Sequence, residues 1–294
     1  MILSIIQTKK ANTLCEKLFL RILTCLLVFP AFFFAADQNN GKETQVTIVT
    51  SEGIIRIKLY NETPLHRDNF IKLVKSHYYD STLFHRVINE FMIQGGDPDS
   101  KLAVAGVQLG NGGPGYTLPA EFMPEKLYHK KGALAAARNS DDVNPEKASS
   151  GSQFYIVQGK KFTDADLNTM EERKQQQKKQ ELFFVVLNKP ENLPMKLKFF
   201  AFRQQQQTDS LMAIVHILEP QVLTELGKIP PFHYSAEQRL TYSTIGGTPH
   251  LDGNYTVFGE VIEGLDIVDK IGSSKTLPGD RPEKDIRILR MLIE

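Results

Sequence analysis

Fourteen residues, Phe84-His-Arg-Val-Ile-Asn-Glu-Phe-Met-Ile-Gln-Gly-Gly-Asp97, restrict this chain more than any other part of it. Read as one strand, the run alternates with period two, so Phe91 and Ile93 point opposite to Met92 and Gln94. One guanidinium, one carboxamide and several large apolar groups then project from a rigid ribbon. The ribbon ends at Gly95-Gly96, and Asp97-Pro98 reads as a turn. Long apolar side chains beside a lone arginine predict a half-dry pocket with a single polar handle.

The flanking sequence is mainly β in pattern. Val46–Thr50 and Ile54–Tyr60 alternate around Ser51-Glu-Gly53 and read as two strands and a turn. Pro64 opens a helical pattern with Leu65, Phe70, Ile71 and Val74 on one side and His66, Arg67, Asp68 and Lys72 on the other. Asn61 or Thr63 can cap it. Residues 104–122 are rich in glycine and proline and read as an ordered loop. Gly110, Gly112 and Gly115 fit a dinucleotide-binding spacing, but Pro114, Tyr116 and Pro119 forbid the helix that such a site needs. Gly132–Ala137 carries small side chains that let a substrate or another backbone approach closely.

Three further blocks share the character of the first: Gly112-Gly-Pro-Gly-Tyr-Thr-Leu-Pro-Ala-Glu-Phe122, Gly151-Ser-Gln-Phe-Tyr-Ile-Val157 and Leu251-Asp-Gly-Asn-Tyr-Thr-Val-Phe-Gly-Glu260. In this order the four blocks resemble the cyclophilin-type peptidyl-prolyl isomerases, over roughly residues 44–159 and 246–294. The resemblance implies a mainly β fold: a closed eight-stranded antiparallel barrel capped by two helices. It implies Arg86 as the catalytic group. Phe91, Met92, Tyr155 and Leu251 would surround a proline ring, Gln94 and Gln153 would bind peptide backbone, and Ala137 would lie alongside. His250 stands where many members carry Trp, Tyr255 where many carry His, and Arg138 where many carry Asn. The first two form the rim of the implied pocket, so cyclosporin binding does not carry over with the rest.

A short connection follows the Phe154–Val157 strand in the family pattern, whereas about 85 residues intervene here. So long a loop needs structure of its own, and residues 160–245 read as a helical insertion. Thr163 with Asp166 and Ser235 with Gln238 resemble capping boxes. Leu211, Ile214, Val215 and Leu218, then Val222, Leu223 and Leu226, keep helical spacing on either side of Pro220. The Gln/Lys-rich run Glu171–Glu181 reads as a solvated helix face.

Lys9, Lys10, Lys17 and Arg21 precede a 15-residue apolar run, Ile22–Ala36, of signal-peptide rather than bilayer-spanning length. Cleavage after Ala36 would remove both cysteines and leave no stable membrane span. An extracytoplasmic, periplasmic location follows as an expectation. Net charge of +1 gives no footprint for nucleic acid. The seven histidines show no paired metal-ligand spacing, and Ser152 lacks a nucleophile-elbow pattern. Rotation about X-Pro breaks no bond, so the implied activity needs neither metal nor cofactor. Its partners would be proline-containing unfolded polypeptides. The alternative is a chaperone or proline-peptide binding module with weak catalysis.

Overall fold

The computed structural model describes residues 41–104 and 106–294; the proposed signal peptide lies outside them. Strands β1 (Gln45–Thr50) and β2 (Ile54–Leu59) form a hairpin, and helix α1 (Pro64–Lys75) follows. Strands β3 (Arg86–Ile88) and β4 (Met92–Gly95) come next, then β5 (Thr117–Leu118), β6 (Ala133–Ala136), β7 (Ser149–Ser150) and β8 (Phe154–Val157). Four helices intervene before β9 (Val257–Glu263): α2 (Asp164–Leu187), α3 (Leu193–Gln204), α4 (Thr208–Leu226) and α5 (Ala236–Thr244). Helix α6 (Leu265–Gly272) and strand β10 (Ile288–Ile293) complete the chain.

Eight strands form one antiparallel sheet in the order β10-β1-β2-β9-β6-β8-β4-β3, and β5 pairs with β7 separately. The expected closed barrel is corrected to a curled half-barrel. Among the described residues no ladder joins β3 to β10; an isolated bridge links Leu83 and Arg287. Beside it, the Phe84 N–H donates to the Ile286 carbonyl (2.9 Å) and the Ile288 N–H to that of Thr82 (2.8 Å). The reason is local: β3 has only three residues, and the Leu83 N–H is diverted to Ser100 Oγ (3.0 Å). Stitches replace a paired edge.

Alternation divides the sheet into two apolar faces. Ile48, Ile55, Ile57, Ile93, Leu134, Phe154 and Ile156 fill the inner core, joined by Phe70, Leu73 and Val74 of α1 and by Val268 and Ile271 of α6. Burying each such side chain contributes about 1.5–3 kcal/mol. The buried face of α1 departs from the expected one: Leu65 is exposed and His66 buried. Glu121, far along the chain, explains the exchange. Its carboxylate accepts the N–H groups of Leu65 (3.1 Å) and His66 (3.0 Å) and contacts His66 Nδ1 (2.7 Å). Thr63 makes no side-chain cap, because that carboxylate serves the helix start instead.

Both capping boxes are present, at Thr163/Asp166 and Ser235/Gln238. Helices α2, α3 and α4 build a separate core from Leu182, Phe183, Val186, Phe199, Ile214, Leu218 and Val222. A smaller cluster, Tyr128, Leu167, Tyr234 and Tyr242, joins α2 and α5 to the loop before β6. The helical excursion leaves and rejoins the sheet at one place, where Lys160 pairs with Gly247.

Candidate functional site

The organising stretch is a hairpin rather than one strand. Residues 89–91 turn the chain, with Glu90 at φ +59°. The register sets Arg86 opposite Gln94 and Ile88 opposite Met92, while Val87 and Ile93 belong to the inner core. Phe91 sits in the turn, so strand alternation does not direct it away from Met92. Both pack in a second, outer apolar cluster with Tyr155, Ala135, Ala137 and Val257. The Phe91 carbonyl accepts N–H groups from Gln158 and Gly159, each at 3.0 Å, which anchors the turn to the end of β8.

Strand β8 pairs with β4 and β6, placing Tyr155 beside Gln94 on one side and Ala135 on the other. Above this surface lies a cavity of about 130 Å³, lined by Arg86, Phe91, Met92, Gln94, Ala137, Arg138, Tyr155, Leu251 and Tyr255. Its volume falls below the ~300–1,000 Å³ of typical whole-ligand sites, and suits one side chain of a longer polymer. Eight sequence-named residues therefore meet around one hollow. Gln153 and His250 do not line it but touch residues that do. His250 is exposed and stacks on Phe91 with ring centroids 5.5 Å apart. Gln153 is buried, and its amide donates to the Gly110 and Gly112 carbonyls, both at 2.8 Å.

Arg86 is half-exposed. Its Nε donates to Asp280 Oδ2 (3.2 Å) and Nη1 to Gln94 Oε1 (3.4 Å); Nη2 has no partner among the described residues. The Gln94 amide in turn donates to Gln153 Oε1 (3.0 Å), so this polar row is oriented from both ends. Arg138 supplies a wall rather than a handle: its guanidinium lies 4.5 Å from the Tyr255 ring centre and its Nε donates to the Asn254 carbonyl (2.8 Å).

Sequence reading missed a buried polar row under the pocket floor. Tyr155 Oη lies 2.9 Å from His129 Nε2, and His129 Nδ1 lies 2.8 Å from Asp252 Oδ1. A carboxylate only accepts, so Nδ1 carries the proton and Nε2 accepts the tyrosine O–H. Burial raises the Tyr155 hydroxyl well above its ordinary pKa, which keeps it a donor. Asp252 was visible within the Leu251 block, but nothing in the spacing tied it to residue 129.

The family model for cyclophilin-type peptidyl-prolyl cis-trans isomerases matches residues 45–171 and 241–293. A provisionally named peptidyl-prolyl cis-trans isomerase of Staphylococcus saprophyticus is 29% identical over 253 residues, covering 85% of this chain and 91% of that one. A Streptococcus pyogenes protein, provisionally named a bifunctional phosphatase/peptidyl-prolyl cis-trans isomerase, is 30% identical over 258 residues; the match covers 86% of this chain but 39% of the relative. The crystal structure of a Cryptosporidium parvum cyclophilin-type isomerase shares the fold, with a TM-score of 0.50 and 20% identity over 86% of this chain and 98% of that one.

Proposed function

The chain belongs to the cyclophilin-type peptidyl-prolyl cis-trans isomerase family, and from that premise we propose that it turns X-Pro bonds of unfolded polypeptides outside the cytoplasm, with Arg86 as the catalytic group. The barrier to that rotation arises from amide resonance and stands near ~20 kcal/mol. As the bond twists, the prolyl nitrogen becomes pyramidal and its lone pair localises. A guanidinium N–H aimed at that nitrogen stabilises the twisted form more than the planar one. The observation that carries the reading is the half-exposed Arg86, with Nη2 unengaged among the described residues, at the rim of a side-chain-sized hollow that Phe91, Met92 and Leu251 share with polar groups.

Magnitudes decide how the work divides. A hydrogen bond to a charged group contributes about 1.5–3 kcal/mol, whereas a million-fold acceleration requires about 8 kcal/mol. Arg86 therefore depends on Phe91, Met92, Tyr155 and Leu251 to hold the proline ring, and on fixed polar groups such as Gln94 to hold its flanking amides. The deciding experiment is NMR exchange on a short X-Pro peptide with and without the protein. Arg86→Ala at the wild-type rate sinks the proposed role. N-terminal sequencing of the secreted product tests export and cleavage after Ala36.

A second reading has its own support. Leu193, Leu197 and Phe200 of α3 are exposed, and a groove between α2 and α4 is lined by Phe183, Phe184, Val215 and Val222. Such a surface suits transient holding of unfolded chains. Leu197→Glu with Phe200→Glu separates the two activities: client holding falls while peptide isomerisation persists. Unchanged holding removes this reading.

A further inference from the structure

The wall of the pocket that carries Leu251 and Tyr255 is a loop, and beside donors from His129 and Arg138 it receives three from the helical segment. Tyr242 of α5 donates its hydroxyl to Asp252 Oδ2 at 2.5 Å. Lys174 of α2 donates to the Asp252 carbonyl at 2.9 Å. Tyr234, just before α5, donates to the Pro249 carbonyl at 2.8 Å. Lys174 and Tyr234 lie between the two stretches matched by the family model, and Tyr242 just inside the second.

Asp252 is the hub. Its side chain is fully buried, and Oδ1 accepts both the backbone N–H and the Nδ1–H of His129, each at 2.8 Å. His129 Nε2 then takes the Tyr155 hydroxyl at the pocket floor. We propose that Tyr242 is a positioning residue of the proline pocket: through Asp252 it sets the Leu251 wall, and through His129 the orientation of the Tyr155 ring. The inference rests on the isomerase reading and assigns that site's geometry to the helical segment. A buried carboxylate that loses one of its donors must move or find another. Asp252 is covalently next to Leu251, so such movement alters the width of the hollow. Simple satisfaction of buried polar atoms is the rival account, and it predicts a stability loss with an unaltered pocket.

Tyr242→Phe removes the hydroxyl and keeps the ring. With the melting transition retained, kcat/KM falls about tenfold, carried by a rise in KM, as expected when one buried hydrogen bond that shapes a binding wall is lost. Leu251 methyl and Tyr155 ring resonances of the peptide-free protein shift together. Tyr128→Phe is the control, since its hydroxyl meets Thr241 at 3.1 Å across the same seam without reaching Asp252; it leaves rate and resonances near wild type. Where Tyr242→Phe does not fold, Lys174→Gln provides the same readings from the other donor. Wild-type kcat/KM with unmoved Leu251 and Tyr155 resonances in the folded variant overturns the proposal. If the wild type itself does not isomerise X-Pro peptides, the isomerase reading fails, while the resonance shifts still decide the coupling.

Discussion

The sheet and the helical segment treat apolar surface in opposite ways. On the sheet, every residue of β6 and β8 is buried, because one face turns to the inner core and the other to the pocket cluster. On the helices only a stripe is covered: Leu193 and Leu197 remain 54% and 64% exposed, and Phe184 and Phe200 44% and 42%. Period two lets a strand engage two cores at once, whereas a helix in a three-helix layer satisfies one side. The contrast separates strands covered on both faces from helices that leave apolar side chains uncovered.

The sharpest way to break the contrast is to excavate the sheet. Phe154 lies where the rings of Phe70, Tyr79 and Phe84 converge, at 5.5, 5.6 and 6.3 Å. Phe154→Ala should cost about 3–5 kcal/mol in a denaturant melt. Next in size is chemistry without stability: Arg86→Ala is expected to lower kcat/KM about 10²-fold at an unchanged melting temperature, the loss of one charged hydrogen bond. Removing the cap at the start of the helical segment, Thr163→Ala, should destabilise by about 1 kcal/mol by thermal melting and leave the isomerisation rate alone. Exposed Phe200→Ser should change stability by no more than about 0.5 kcal/mol, yet reduce binding of an apolar dye.

A gentle slope with pH belongs to two buried histidines outside the strands, one in α1 and one just before β3. Burial holds the imidazoles of His66 and His85 below their ordinary value of 6.5. The unfolded chain therefore binds protons that the folded one refuses. Stability is complete above 6.5 and declines as pH falls below it, through the folded-state values. Melting temperatures measured from pH 7.5 to pH 5 should decline, and less steeply in His66→Gln.

Local chemistry was readable from the sequence, and long-range chemistry was not. Both capping boxes announced themselves through spacing. The hairpin inside Phe84–Asp97 did not, since its left-handed position is held by Glu90 rather than by a glycine or by the neighbouring Asn89. His66 reads as polar surface until Glu121 arrives from another element. Eight residues of the pocket followed from the resemblance, but the row Tyr155–His129–Asp252–Tyr242 joins four separate stretches, and no periodicity connects them. Closure of the sheet failed for a simpler reason: it was carried over with the resemblance, which does not show whether a three-residue edge can zip to its neighbour.

The Lys160–Gly247 pairing has a consequence for how such a chain can diversify. A Cβ on Gly247 would lie 2.3 Å from the His129 carbonyl oxygen, and one on Gly159 2.5 Å from the Gly247 Cα, so the stem admits hydrogen alone at both positions. Entry and exit share one narrow neck. Whatever length of chain is carried beyond it, the neck must keep its glycines and the seam against Tyr128 must still be filled.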